Sequence, residues 1–253
     1  MSEHRVEDYP EIQGNFFLKS RDVGASRKLW GKIGIVSCYI KRGGKPWLES
    51  DKIAYNDALI KAIDFLHSEA RRWHVPLHID RYYYEIDVPE DAKPSDTFNH
   101  VKGFLNSDTM DIAQEWLERT MEYDEMPFVF VYPERGRSFA ATQWRDCGFY
   151  ANENSTVFVD RGIDYSTIVH ELLHQFGAQD FYFPERVKER ATYYYKNSIM
   201  GVGKCEVDDL TAYLIGWKNT ISNLTYWFLR DTDWITVEDY YKILEEEWKR
   251  KWS

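Results

Sequence analysis

Apolar residues in this chain recur with two periods, and the two alternate along its length. Residues 32–40, Lys-Ile-Gly-Ile-Val-Ser-Cys-Tyr-Ile, are apolar on both faces and read as a buried strand. From about Ser50 to Trp73 the period lengthens: Leu59, Ile63, Leu66, Ala70 and Trp73 fall on one helical face, with Ser50 as the expected cap. A strand at 77–88 follows, then a helix near 109–122 carrying Ile112, Ala113, Trp116 and Leu117, then a strand from Phe128 to Tyr132. Strand and helix alternating in this way imply an α/β fold with a largely parallel sheet, because parallel neighbours need long crossover connections. Two shorter strands, about Ser138 to Trp144 and Thr156 to Asp160, lead into a helix from Asp164 to Phe176. Helices at Asp208–Trp217 and Val237–Trp252 close the pattern. In the last one, Glu245 and Lys249, Glu246 and Arg250, and Glu247 and Lys251 stand four apart in the favourable order, the mark of a solvated face.

The helix at 164–176 carries the chemistry. It contains His170, Glu171 and His174 and is followed by Gly177 and Asp180. Residues four apart on a helix lie one above the other, so His170 and His174 can present imidazole nitrogens to one ion. Glu171 is rotated away from that line, which suits a general base acting on a water rather than a ligand. Asp164 is the expected cap, and Gly177 can take a left-handed backbone that turns the chain sharply after the helix. Such a turn would bring Asp180 back as a third ligand. Zinc takes ligands of this kind at about 2.0–2.1 Å and in catalytic sites keeps one position open.

The string His-Glu-x-x-His-x-x-Gly-x-x-Asp, with Asn197-Ser198-Ile199-Met200-Gly201 downstream, resembles the metzincin clan of zinc endopeptidases. The resemblance covers roughly residues 31–217. It implies a catalytic domain with a twisted, mostly parallel five-stranded sheet, an antiparallel edge strand, an active-site helix and a helical C-terminal subdomain. It also implies one catalytic zinc ion held by His170, His174 and Asp180, with Glu171 as base, Gly177 at the turn and Met200 in a methionine turn beneath the metal. Aspartate as third ligand is a minority pattern, as in the snapalysin group. By its place in the order, Ser138–Trp144 resembles the edge strand that pairs with an extended peptide. Phe139, Ala140, Ala141 and Thr142 on that strand, and Gly201 and Val202 after the turn, are the expected substrate contacts. Where some metzincins have a tyrosine two positions after the methionine, this chain has Val202.

Composition narrows the partners. A net charge of −10 disfavours nucleic acid or an anionic membrane as the main partner, and it fits a preference for neutral or basic segments in the peptide or protein substrate that the resemblance implies. The opening residues lack the apolar stretch of a secretory signal and no 18 apolar residues run together, so cytoplasmic residence is the simplest expectation. Cys38, Cys147 and Cys205 are odd in number and widely spaced, which argues against a disulfide framework; Cys38 and Cys205 are expected to be buried. His4, His67, His74, His78 and His100 show no ligand spacing. The expected organisation is an N-terminal extension, 1–30, a catalytic domain with an upper part at 31–177 and a lower part at 178–217, and a C-terminal extension, 218–253. Nothing in the sequence sets an oligomeric state. Two other readings compete: a thermolysin-like peptidase using Glu206 as third ligand, and a catalytically silent protein that keeps zinc for binding. Gly177, Asp180 and Met200 speak against the first, and an intact Glu171 against the second.

Overall fold

In the computed structural model, which describes residues 3–21, 26–106, 108, 110–145, 149–159, 162–203 and 205–232, every residue from Phe128 to Tyr132 is buried. Only a central strand covered on both faces produces such a run. In chain order the elements are β1 (Glu3–His4), α1 (Phe16–Lys19), β2 (Gly31–Arg42), α2 (Glu49–Arg72), β3 (Leu77–Val88), α3 (Thr97–Leu105), α4 (Met110–Met121) and β4 (Phe128–Tyr132). They continue with β5 (Phe139–Arg145), β6 (Phe149–Phe158), α5 (Tyr165–Gln175), α6 (Glu185–Tyr194), α7 (Asp209–Leu214), β7 (Ile221–Ser222) and α8 (Asn223–Thr232).

The main sheet has five strands in the order β3-β2-β4-β6-β5. All neighbours are parallel except β5, which runs antiparallel to β6 at the edge and carries a register shift between Ala141 and Thr142. Side-chain alternation splits the interior into two cores. Ile33, Ile35, Val129, Val131 and Val157 join Leu59 and Leu66 of α2 and Leu172 and Leu173 of α5. Val36, Cys38, Ile40, Phe128, Phe130 and Tyr132 face the other way, toward Val101 of α3 and Ala113 of α4. The result is a sheet between two helical layers.

Several elements differ from the sequence expectation. Ser50 lies inside α2 rather than capping it: the N-cap is Leu48, which offers no side-chain bond, and Glu49 and Asp51 supply first-turn acidity instead. β6 starts at Phe149 rather than Thr156, because β5 pairs with its first half and satisfies a backbone that the sequence pattern reads as loop. Cys205 is exposed, whereas Cys38 is buried as expected. α6 has just Val187 and Ala191 buried and so lacks the apolar stripe that would announce a helix. The expected helix at Val237–Trp252 and Cys147 lie outside the described residues.

The N-terminal residues are part of the core around the later helices. β1 pairs antiparallel with β7, and Asn15 Nδ2 donates to the Leu229 carbonyl at 3.0 Å. Phe17 packs edge-on against Phe181, with ring centroids 6.0 Å apart, and against Phe228 at 5.4 Å. Among the described residues no helix is long and apolar enough to cross a membrane.

Candidate metal centre

Helix α5 is fixed at both ends and along its inner face. Asp164 caps it, accepting from the Ser166 amide at 3.1 Å. Ile168, Val169, Leu172 and Leu173 bury its apolar stripe. Two polar side chains set its height over the sheet: Ser155 Oγ on β6 donates to the Glu171 carbonyl at 2.7 Å, and Gln175 Nε2 donates to the Phe128 carbonyl at 3.0 Å. The helix ends in paired bonds from Gly177 N to His174 O and from Ala178 N to Leu173 O, at 3.0 and 3.1 Å, the Schellman arrangement. Gly177 has φ +97°, and a Cβ there would overlap the Ser20 carbonyl oxygen, so the turn requires glycine twice over.

That turn brings Asp180 to the histidines. Its Oδ1 lies 3.0 Å from His170 Nε2 and 3.2 Å from His174 Nε2, and the two Nε2 atoms are 3.2 Å apart. The other ring nitrogens face backbone carbonyls: His170 Nδ1 meets Ile199 O at 3.0 Å, and His174 Nδ1 meets Ala178 O at 2.8 Å. A carbonyl only accepts, so each Nδ1 carries the hydrogen and each Nε2 turns a lone pair toward the centre. Asp180 Oδ1 is buried and accepts no hydrogen bond. Three acceptor atoms thus converge with no donor between them, which only a cation relieves.

The spacing fits a small divalent ion. Four ligands in a tetrahedron at about 2.0–2.1 Å from a metal stand about 3.3 Å from one another, close to the separations seen here. A proton is the alternative cation: burial opposes charge on His174, but the Asp180 carboxylate outweighs it and lifts the ring to about 9. Burial likewise opposes charge on Asp180, and the two histidines win, holding its carboxyl well below the usual range. Glu171 completes the group, with a carboxylate oxygen within 4.8 Å of the histidine nitrogens. Burial pushes its carboxyl above the usual range, against the pull of His174 and His170.

The floor is the turn at 197–201. Met200 is fully buried, its carbonyl accepts from Phe181 N at 2.9 Å, and Ile199 N bonds to Glu206 O at 2.8 Å. Ser198 Oγ accepts from Met200 N at 3.0 Å and donates to Asp208 Oδ2 at 2.5 Å. Above the floor, Tyr182 stacks on His170 with centroids 5.7 Å apart. A cleft of about 580 Å³ opens onto this group, reaching from Gly136, Arg137 and Ser138 past His170, Glu171 and Tyr182 to Gly201 and Val202.

Of the residues expected from sequence, His170, Glu171, His174 and Asp180 come together, Gly177 makes the turn, Met200 lies in the floor, and Gly201 and Val202 line the cleft. Phe139, Ala140 and Ala141 sit on the edge strand next to the cleft but do not line it, and Thr142 follows the register shift. The lining contributed by this part of the chain is the preceding loop, 136–138. Glu206, the ligand a thermolysin-like site needs, is outside the metal-holding group among the described residues. Sequence reasoning passed over Tyr182, Arg137, Asp208, Ser155 and Gln175. Tyr182 alone had a local signal, two positions beyond Asp180.

Neither a family model nor a curated protein matches the chain. Among solved structures that match is metalloproteinase-II from Bacteroides fragilis, 14% identical, with 81% of this chain and 59% of that one covered and a TM-score of 0.36. A likeness this loose assigns no family, and the geometry of the centre carries the functional reading.

Proposed function

We propose that this protein is a zinc-dependent endopeptidase with a metzincin-type centre. In this reading His170, His174 and Asp180 hold the ion, Glu171 is the general base, and Met200 is the apolar floor of a methionine turn. The observation that carries it is the convergence of three acceptor atoms, 3.0–3.2 Å apart, beside a buried carboxylate at the base of an open cleft. A purely structural zinc site closes with four protein ligands and has no use for a base, which disfavours the binding-protein alternative.

When bound, zinc supplies Lewis acidity, making water a nucleophile near neutral pH and polarising a substrate carbonyl. The carbonyls of Ile199 and Ala178 keep the imidazoles in the tautomer that can ligate. Glu171, held in a buried position that favours proton uptake, takes the proton from the attacking water and passes it to the departing amine. The edge strand β5 offers backbone groups to an extended peptide, whose side chains would then lie along the cleft. Metal content and cleavage of a diverse peptide library test the reading directly. The wild type is expected to hold one zinc and cut; Glu171→Ala should keep the zinc and lose roughly 10²–10⁴ of the turnover. Zinc-loaded wild type that cuts no better than the variant would refute the peptidase assignment.

A further inference from the structure

Building on the peptidase reading, we propose that Arg137 selects substrates carrying a carboxylate beside the scissile bond, either an acidic side chain or a free C-terminus. Arg137 lies between two anchors. A Cβ at Gly136 would overlap the Phe158 ring, so the loop lies flat on that ring, and Ser138 Oγ accepts from Phe158 N at 3.4 Å. The guanidinium between them is exposed and lines the same cleft as His170 and Glu171. It makes no hydrogen bond or ion pair among the described residues.

Among the described residues, the other charged one of the lining outside the centre is Asp164, whose Oδ1 is engaged by the Ser166 amide at the start of α5. Among the described residues of the lining, Arg137 is therefore the cation placed to meet an incoming peptide. Its planar fork matches a carboxylate in bidentate geometry, which a lysine ammonium cannot reproduce. The chain as a whole carries −10 and repels anions at a distance. A preference for acidic substrates must then come from a local cation, and Arg137 is placed to supply it. The neutral or basic preference that net charge alone suggests is reversed at the cleft.

The test uses the zinc-loaded full chain carrying Glu171→Ala, which binds without cutting, and fluorescence anisotropy of labelled peptides. One pair of peptides differs by Glu against Gln beside the intended cleavage position, and a second by a free against an amidated C-terminus. We expect the acidic member of one pair to bind about tenfold tighter at low salt, with the ratio shrinking as salt rises. Adding Arg137→Gln should bring that ratio to about one, while Arg137→Lys should keep part of it. Which pair responds tells an acidic side chain from a chain terminus. A ratio near one, a ratio that survives Arg137→Gln, or no binding of any of these peptides would overturn the proposal. Parallel hydrolysis assays on the wild type separate the two claims: cutting without preference removes the role of Arg137 alone, and preferential binding without cutting removes the peptidase reading alone.

Discussion

At Gly177 the backbone has φ +97°, and any side chain would meet the Ser20 carbonyl. Ser20 Oγ also donates to the Gly177 carbonyl at 2.5 Å, so the N-terminal segment grips the turn that delivers Asp180. Gly177→Ala should therefore cost about 2–4 kcal/mol of stability, from a strained φ and a backbone overlap together. It should also weaken metal binding, since Asp180 can no longer return to the histidines at the same distance. Calorimetric unfolding and a zinc titration check both effects; an unchanged melting temperature would mean that the turn has another way to close. The site was largely legible in the sequence because its members lie within eleven residues, where helix geometry and one glycine determine the outcome. Arg137 was not, because a lone arginine in a loop carries no spacing rule, and Tyr182 had only its place two positions beyond Asp180 to mark it among many tyrosines. Only the folded cleft puts them beside Glu171.

The turn at 197–201 hangs from α7 and α2. Asp208 is buried; its Oδ1 caps α7 by accepting from Leu210 N and Thr211 N at 3.0 and 2.9 Å, and its Oδ2 accepts from Ser198 Oγ and Thr211 Oγ1 at 2.5 and 2.6 Å. One residue earlier, Val207 N donates to Glu69 Oε2 at 2.7 Å and Val207 O accepts from Arg72 Nη2 at 2.6 Å, tying the floor to the end of α2. Asp208→Ala leaves several buried donors unmet and should cost about 3 kcal/mol. Asp208→Asn keeps the capping oxygen and should cost about 1 kcal/mol. Because Ile199 O orients the His170 ring, the alanine variant should also bind the metal ion at least tenfold more weakly. Equal unfolding free energies for the two variants would show that the cap adds nothing and that the Oδ2 bonds to Ser198 and Thr211 carry the whole loss. Long apolar elements such as α2 and β4 were readable from periodicity. The floor's supports were not: they are single polar side chains reaching across more than a hundred residues, as from Glu69 to Val207, and no local pattern records such a contact.

At the scale of the molecule, Glu125 draws three distant segments into one polar cluster. Its Oε1 accepts from the amides of Arg27 and Lys28 at 3.0 and 3.2 Å, just before β2. Its Oε2 accepts from Gln114 Nε2 on α4 at 3.3 Å, and the same Nε2 donates to Glu118 at 2.8 Å. Burial, seconded by the Glu118 charge and opposed by those amides, pushes the Glu125 carboxyl up to about 7. A carboxyl raised on folding binds its proton more tightly in the native state. Its contribution to stability is fully present below the unfolded value near 4.5 and is lost as pH rises through about 7. The loss is of order ~3 kcal/mol by the usual conversion. Glu125→Gln removes this titration while retaining an oxygen for the two amides, and the new amide hydrogens can meet Gln114 Oε1, which is buried without a partner. The variant should match the wild type at pH 5 and exceed it in melting temperature at pH 8. Denaturation of both proteins across that range measures the difference directly, because carboxylates outside the cluster titrate alike in the two and only Glu118 is coupled to the change. A gap that stays constant with pH would place the Glu125 proton elsewhere and leave the cluster as packing alone.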